Sequence, residues 1–188
     1  MEDRSPAALA VVNADGIGLQ VQFRWMKDRH SHTINLLFEN RTIPVLESLE
    51  GTDVEPWPES PPLQQLSIEE LRPSTRAALL VGMAGQSHWS MSVEPNPAEM
   101  EFQFDVACRL RAAAGHLGTA YRLLSGGSVN ANMDSATIDI DGRRLAIMCD
   151  RDPPAASKIK ESSDVMRIEP KTIGSAGTTR WRYAVGLK

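Results

Sequence analysis

Residues 17–25 run Ile17-Gly18-Leu19-Gln20-Val21-Gln22-Phe23-Arg24-Trp25. The odd positions are apolar and the even ones are glycine, glutamine or arginine. Successive side chains leave a strand on opposite sides, so a period of two marks a strand with one face on a core and one in water. The same alternation recurs along the chain. After a polar connection at Lys27–Ser31 it returns at Ile34, Leu36 and Phe38. Glu39–Thr42 reads as a tight turn, with Asn40 suited to positive φ. With Asn40 and Arg41 as its loop residues, Phe38 is set against Ile43 and Leu36 against Val45.

Trp89, Met91 and Val93 alternate, and so do Phe102, Phe104, Val106, Cys108 and Leu110. These two runs predict a hairpin. Thr137–Ile140 and Arg143–Cys149 predict another, joined by Asp141-Gly142, a dipeptide that type I′ turns prefer. That turn sets Ile138 opposite Leu145 and Ala136 opposite Ile147. Leu63–Leu71 is assigned to strand, because Pro73 would stop a helix at once. Ala77–Gly82 predicts a buried strand, interrupted by a bulge or bend at Gly82–Gly85. Asp164–Glu169 and Trp181–Leu187 supply the last strands. Residues 51–62 hold four prolines and are expected to be a loop or a cover over a sheet edge. The glycines of 112–135 limit that stretch to a connection with at most two helical turns.

The total is about nine or ten strands on short connections with little helix. Parallel sheets need helical crossovers of a dozen or more residues, and these are missing. The expected fold is therefore all-β, an antiparallel meander forming a sandwich or open barrel. Residues 1–15 are expected as a flexible N-terminal segment and 16–188 as a single all-β domain. A sub-boundary, if there is one, falls near 112–135.

The composition of the 188 residues, 41% apolar and 23% charged, is that of a globular protein and excludes wholesale disorder. No apolar run is long enough to span a bilayer, and the first residues never enter an apolar leader, so no membrane partner and a cytoplasmic location are expected. Two cysteines do not make a disulfide framework, and Cys108 and Cys149 both fall in apolar register, as buried thiols do. The net charge of −4 argues against non-specific nucleic-acid binding. Residues 151–188 carry eight Lys+Arg against four Asp+Glu, whereas the rest is acidic. The basic C-terminal strands are expected to lie against that acidic body. Arg180-Trp181-Arg182-Tyr183 mixes cations and aromatics, but its alternation turns both aromatics inward.

Few residues suggest chemistry. His30 and His32 have the spacing of metal ligands on one strand face, yet no acid follows within six residues, and they are expected to be solvated loop histidines. Pairing Val93 with Met100 would set His88 opposite Asp105, Ser90 opposite Gln103 and Ser92 opposite Glu101. His88, Ser90 and Asp105 then share one polar strip, either a ligand-binding face or the ingredients of nucleophilic catalysis. No nucleophile elbow, phosphate loop or dinucleotide fingerprint accompanies them. Trp57, held between two prolines, is a candidate contact for a partner, or else a cap on a core edge. The expected function is a non-enzymatic cytoplasmic module that binds a partner protein or small ligand, without a cofactor. The rival is a hydrolase or metal-dependent enzyme built on the His88/Ser90/Asp105 strip, with His30 and His32. Self-association through a free sheet edge is the remaining expectation.

Overall fold

The structure, a computed structural model, describes residues 5–52, 54–73, 75–124 and 126–188. Fifteen strands are present among them. The first four form a meander: β1 (Ala7–Val12), β2 (Gly18–Met26), β3 (Arg29–Phe38) and β4 (Arg41–Ser48). A second meander follows with β5 (Gln65–Arg72), β6 (Thr75–Ala84), β7 (Ser87–Asn96) and β8 (Glu101–Leu110). The rest of the chain threads back and forth through β9 (Thr119–Leu123), β10 (Ser128–Ala131), β11 (Ser135–Ile140), β12 (Arg143–Cys149), β13 (Ser157–Ser162), β14 (Val165–Pro170) and β15 (Gly177–Leu187).

Two open antiparallel sheets result, in the orders β1-β2-β3-β4-β9-β14-β13 and β10-β11-β12-β15-β8-β7-β6-β5. The fold is a sandwich rather than a closed barrel. Inward residues of both sheets share one apolar cluster, with Leu19, Val21, Phe23 and Ile34 from the first sheet and Trp89, Phe102, Phe104, Trp181 and Tyr183 from the second. Phe104 stacks on Tyr183 at a centroid distance of 4.8 Å, and Trp89 meets Trp181 edge-on at 6.2 Å. Each large apolar side chain buried this way is worth roughly 1.5–3 kcal/mol.

The strand count exceeds expectation for a physical reason. In β1 the outward positions are Ala8, Ala10 and Val12, which give no polar contrast to buried Leu9 and Val11. β9 is buried on both faces at Thr119–Tyr121, and β10 has four residues. In β13 only Ser157 and Ile159 turn fully inward. Such strands carry little period-two signal. The stretch expected as a flexible lead thus contributes β1, which pairs with β2 from Ala7 to Val12. Residues 1–4 of that lead lie outside the described residues. The described residues of the stretch 112–135 include β9 and β10 and no helical turn, and the stretch carries the chain from β8 to β9 in the other sheet and back to β10.

Turn chemistry fixes the register. Asp141 and Gly142 both have positive φ, and the hairpin they close pairs Ile138 with Leu145 and Ala136 with Ile147, as its sequence predicts. At the β3–β4 turn the two loop residues are Glu39 and Asn40, with φ of 50° and 59°. Phe38 therefore faces Arg41, Leu36 faces Ile43, and a bulge after Ile34 brings Ile34 opposite Leu46. The connection between β2 and β3 is only Lys27-Asp28, so Arg29–Ser31 belong to β3. The interruption expected at Gly82–Gly85 is a two-residue turn at Gly85-Gln86, and β6 runs unbroken through Gly82.

The described residues 49–52 and 54–64 wrap from β4 in one sheet to β5 in the other. The Ser60 hydroxyl bonds the carbonyl and the N–H of Ala120 at 3.1 Å each, and His30 N–H donates to the Leu63 carbonyl at 2.7 Å. The C-terminal cations do lie against acidic groups. Arg180 and Arg182 hold Asp105, Arg182 reaches Asp150, Arg167 reaches Glu59, and Lys171 reaches Asp134. Trp181 and Tyr183 between them are buried.

Candidate functional site

On the outer face of the eight-stranded sheet lies a groove of about 590 Å³. Its rows follow from the pairing. Met83 faces His88, which faces Arg109, which faces Thr178. The next row reads Val81, Ser90, Ala107 and Arg180. Alternation on β6 sends Leu80 to the core and leaves Leu79, Val81 and Met83 exposed by 37%, 46% and 49%. Three exposed apolar side chains in one line are unusual on a strand whose other face already serves the core. Gln64 and Gln65 line the same groove beside β6, and Arg109 and Thr178 lie across it. The Gln64 side chain is pinned there, donating to the Met83 carbonyl at 2.9 Å and accepting from the Met83 N–H at 2.7 Å.

The groove unites two of the expected site residues, His88 and Ser90. Asp105 is elsewhere. The β7–β8 loop spans Pro97–Met100, so the register differs by four residues from the one that pairs Val93 with Met100. His88 consequently faces Arg109, and Asp105 faces Ser92. Four residues along a strand is about 13 Å. Asp105 is occupied by two guanidinium groups, accepting from Arg180 Nε at 2.6 Å and Arg182 Nη2 at 3.1 Å. Among the described residues no carboxylate reaches Arg109 within ion-pair distance.

Trp57 lies away from the groove. It is half-buried against the core cluster, and a Cβ on Gly115 would come within 3.0 Å of its ring. That packing is the arrangement of a cap on a core edge.

His30 and His32 are not solvated loop residues, being exposed by only 5% and 4% within β3. His30 packs edge-on to Trp25 at 5.0 Å. His32 enters a buried polar chain that sequence reasoning missed. Its Nε2 lies 2.7 Å from the Tyr121 hydroxyl, which lies 2.7 Å from the Tyr183 hydroxyl. Its N–H donates to Ser48 Oγ at 2.9 Å, and Ser48 donates to Glu50 Oε1 at 2.6 Å. Burial pulls the His32 pKa down to about 4, so the ring is neutral at pH 7. Burial pushes the Glu50 carboxyl up to about 7, although Ser48 and Arg29 favour its charged form. The other Glu50 oxygen, Oε2, is buried without a hydrogen-bond partner beside a 180 Å³ pocket that Arg29 and Arg122 also line. Among the described residues no three His, Cys, Asp or Glu side chains converge as a metal site would require.

Cys108 and Cys149 are free and buried. Burial pushes the Cys108 thiol up to about 12 and raises that of Cys149, which suits packing rather than nucleophilic chemistry. No helix among the described residues is long and apolar enough to cross a membrane. Compared with known proteins, the chain matches no family model and no curated protein sequence.

Proposed function

We propose that the protein is a non-enzymatic cytoplasmic binding module, and that it captures its ligand in the groove on the outer face of the eight-stranded sheet. One observation carries this reading: the exposed side chains of Val81 and Met83 line one groove with Arg109, a cation without a carboxylate partner among the described residues. A groove of about 590 Å³ with an apolar floor and a few polar groups has the size and lining of small-molecule sites. The register adds support, since the acid nearest along this face is two pairs from His88 and already held by two arginines. Among the described residues no orienting acid then reaches the His88–Ser90 end, as a nucleophilic site would need. The two buried free thiols fit a reducing compartment.

The test uses the amphipathic dye anilinonaphthalene sulfonate. Val81 is exposed, so Val81→Asp leaves the denaturation midpoint nearly unchanged, within about 0.5 kcal/mol. The variant is expected to lose the dye fluorescence that the parent protein shows. Equal fluorescence from both proteins would remove the groove from consideration as the binding site.

A further inference from the structure

We infer that the groove takes a small amphipathic acid: one carboxylate on an unbranched apolar chain. This rests on the binding reading above and adds the chemical class of the ligand. The argument starts from charge. Three arginines stand on this part of the sheet, Arg109, Arg180 and Arg182. Two are neutralised by Asp105, and Arg182 also by Asp150. Arg109 remains without an ion pair among the described residues, at the row where the groove meets the end of the sheet. A guanidinium free to form two parallel hydrogen bonds selects a planar carboxylate. His88 and Thr178 flank it as its cross-strand neighbours, and Ser90 stands in the next row. A single guanidinium without an ion pair among the described residues, flanked by the hydroxyls of Thr178 and Ser90, suits a single negative charge better than a doubly charged phosphate.

The rest of the floor describes the tail. From Arg109 the lining passes Ala107 and Ser90 to the exposed side chains of Val81 and Met83. Two strand spacings and two residues separate Arg109 from Val81, a diagonal of about 12 Å. An extended peptide would find no main-chain partners on this floor, because β6, β7, β8 and β15 already bond one another along their length. A chain with no hydrogen-bonding groups leaves nothing unsatisfied there.

Calorimetric titration of the full chain with decanoate and with decanol separates head from tail. Decanoate is expected to bind about tenfold more tightly than decanol, the margin of one charge-assisted contact. Arg109→Gln is expected to erase that margin and leave decanol binding unchanged. Val81→Asp is expected to abolish both. Equal binding of the two ligands by the parent protein, or indifference to Arg109→Gln, overturns the acid while leaving the groove as the site. Failure of both ligands, together with dye binding that ignores Val81→Asp, overturns the groove itself. Sedimentation of the same proteins adds a third arm, and a dimer that Val81→Asp dissociates would make the apolar row a self-interface and overturn the acid as its occupant.

Discussion

The imidazole of His32 and the phenol of Tyr121 share a 2.7 Å hydrogen bond across β4, because β3 and β9 flank that strand. Ser48 of β4 fills the space between them and accepts the His32 N–H. Tyr183 of the opposite sheet then meets the Tyr121 hydroxyl at 2.7 Å. A polar chain therefore joins the two layers through an interior that is mostly apolar and aromatic. Buried polar groups are tolerable only when they satisfy one another, and removing one member leaves the others exposed to the full desolvation cost.

Tyr121→Phe keeps the ring and its packing but deletes the shared hydroxyl. His32 Nε2 and the Tyr183 hydroxyl each lose a partner in a site that water does not reach. The expected loss is about 1–3 kcal/mol, read as a lower urea midpoint at unchanged slope. A midpoint equal to the parent's would mean the chain contributes nothing to stability.

His32 and Glu50 make opposing pH-dependent contributions. Burial lowers the His32 pKa from 6.5 to about 4. Below pH 6.5 the unfolded chain binds a proton that the folded ring refuses, so this contribution is complete above 6.5 and is lost as pH falls toward 4. Burial raises Glu50 from 4.5 to about 7, so the fold holds a proton that the unfolded chain releases. That contribution is complete below 4.5 and is lost as pH rises toward 7. Between 4.5 and 6.5 the two slopes cancel. Glu50→Gln keeps a side chain able to accept from Ser48 and removes one slope. Its stability relative to the parent should grow from near zero at pH 4.5 to as much as about 3 kcal/mol above pH 7, an upper figure because the adjacent pocket opens to water. Parallel pH profiles for the two proteins would refute the raised Glu50.

Turns and alternation were legible where the chemistry was local. Asp141-Gly142 fixes its hairpin by backbone conformation alone, and Leu19–Phe23 advertises its face directly. The β7–β8 register was not legible, because a slip of four residues preserves which side chains point inward. Alternation alone sends His88 and Ser90 to the outer face, while their cross-strand partners depend on how many residues the loop consumes. His30 and His32 were hidden for another reason. Arg29-His30-Ser31-His32 looks like a solvated connection, and its burial relies on groups far away in sequence: the Leu63 carbonyl, Ser48 and Tyr121. Ala77–Gly82 reads as a buried strand, yet Leu79 and Val81 face outward, because β5 and β7 flank β6 in the sheet and only its other face meets the core.

Gly82 holds the wrapping segment close to β6. A Cβ there would stand 1.9 Å from the Pro62 carbonyl oxygen and 2.4 Å from Gln64 Oε1. The backbone cannot yield that much without lifting residues 62–64 from the sheet, so Gly82→Ala is expected to cost about 1–3 kcal/mol. Gln64 would lose its two bonds to Met83, and the groove would lose that contact on its β6 side. The variant should be cut more rapidly by protease within 51–64 and should bind decanoate more weakly. Unchanged cleavage and binding would show that the close approach is not needed.

Trp57 distinguishes a core cap from a recognition residue. Its ring packs on the core cluster and lies against Gly115, while the groove that gathers His88 and Ser90 does not include it. Truncation therefore removes buried contact area and opens a void at the end of the sandwich. For a half-buried tryptophan the expected loss is about 2–3 kcal/mol, less than for a fully buried one. Gly115→Val should act on the same contact from the other side, since its Cβ alone would approach the ring to 3.0 Å. Because the two residues touch, their costs should not add, and the double variant should be less unstable than the sum of the singles. Decanoate affinity, measured where both proteins remain folded, should be the same for Trp57→Ala and the parent. A variant of full stability that loses the ligand would return Trp57 to the binding surface.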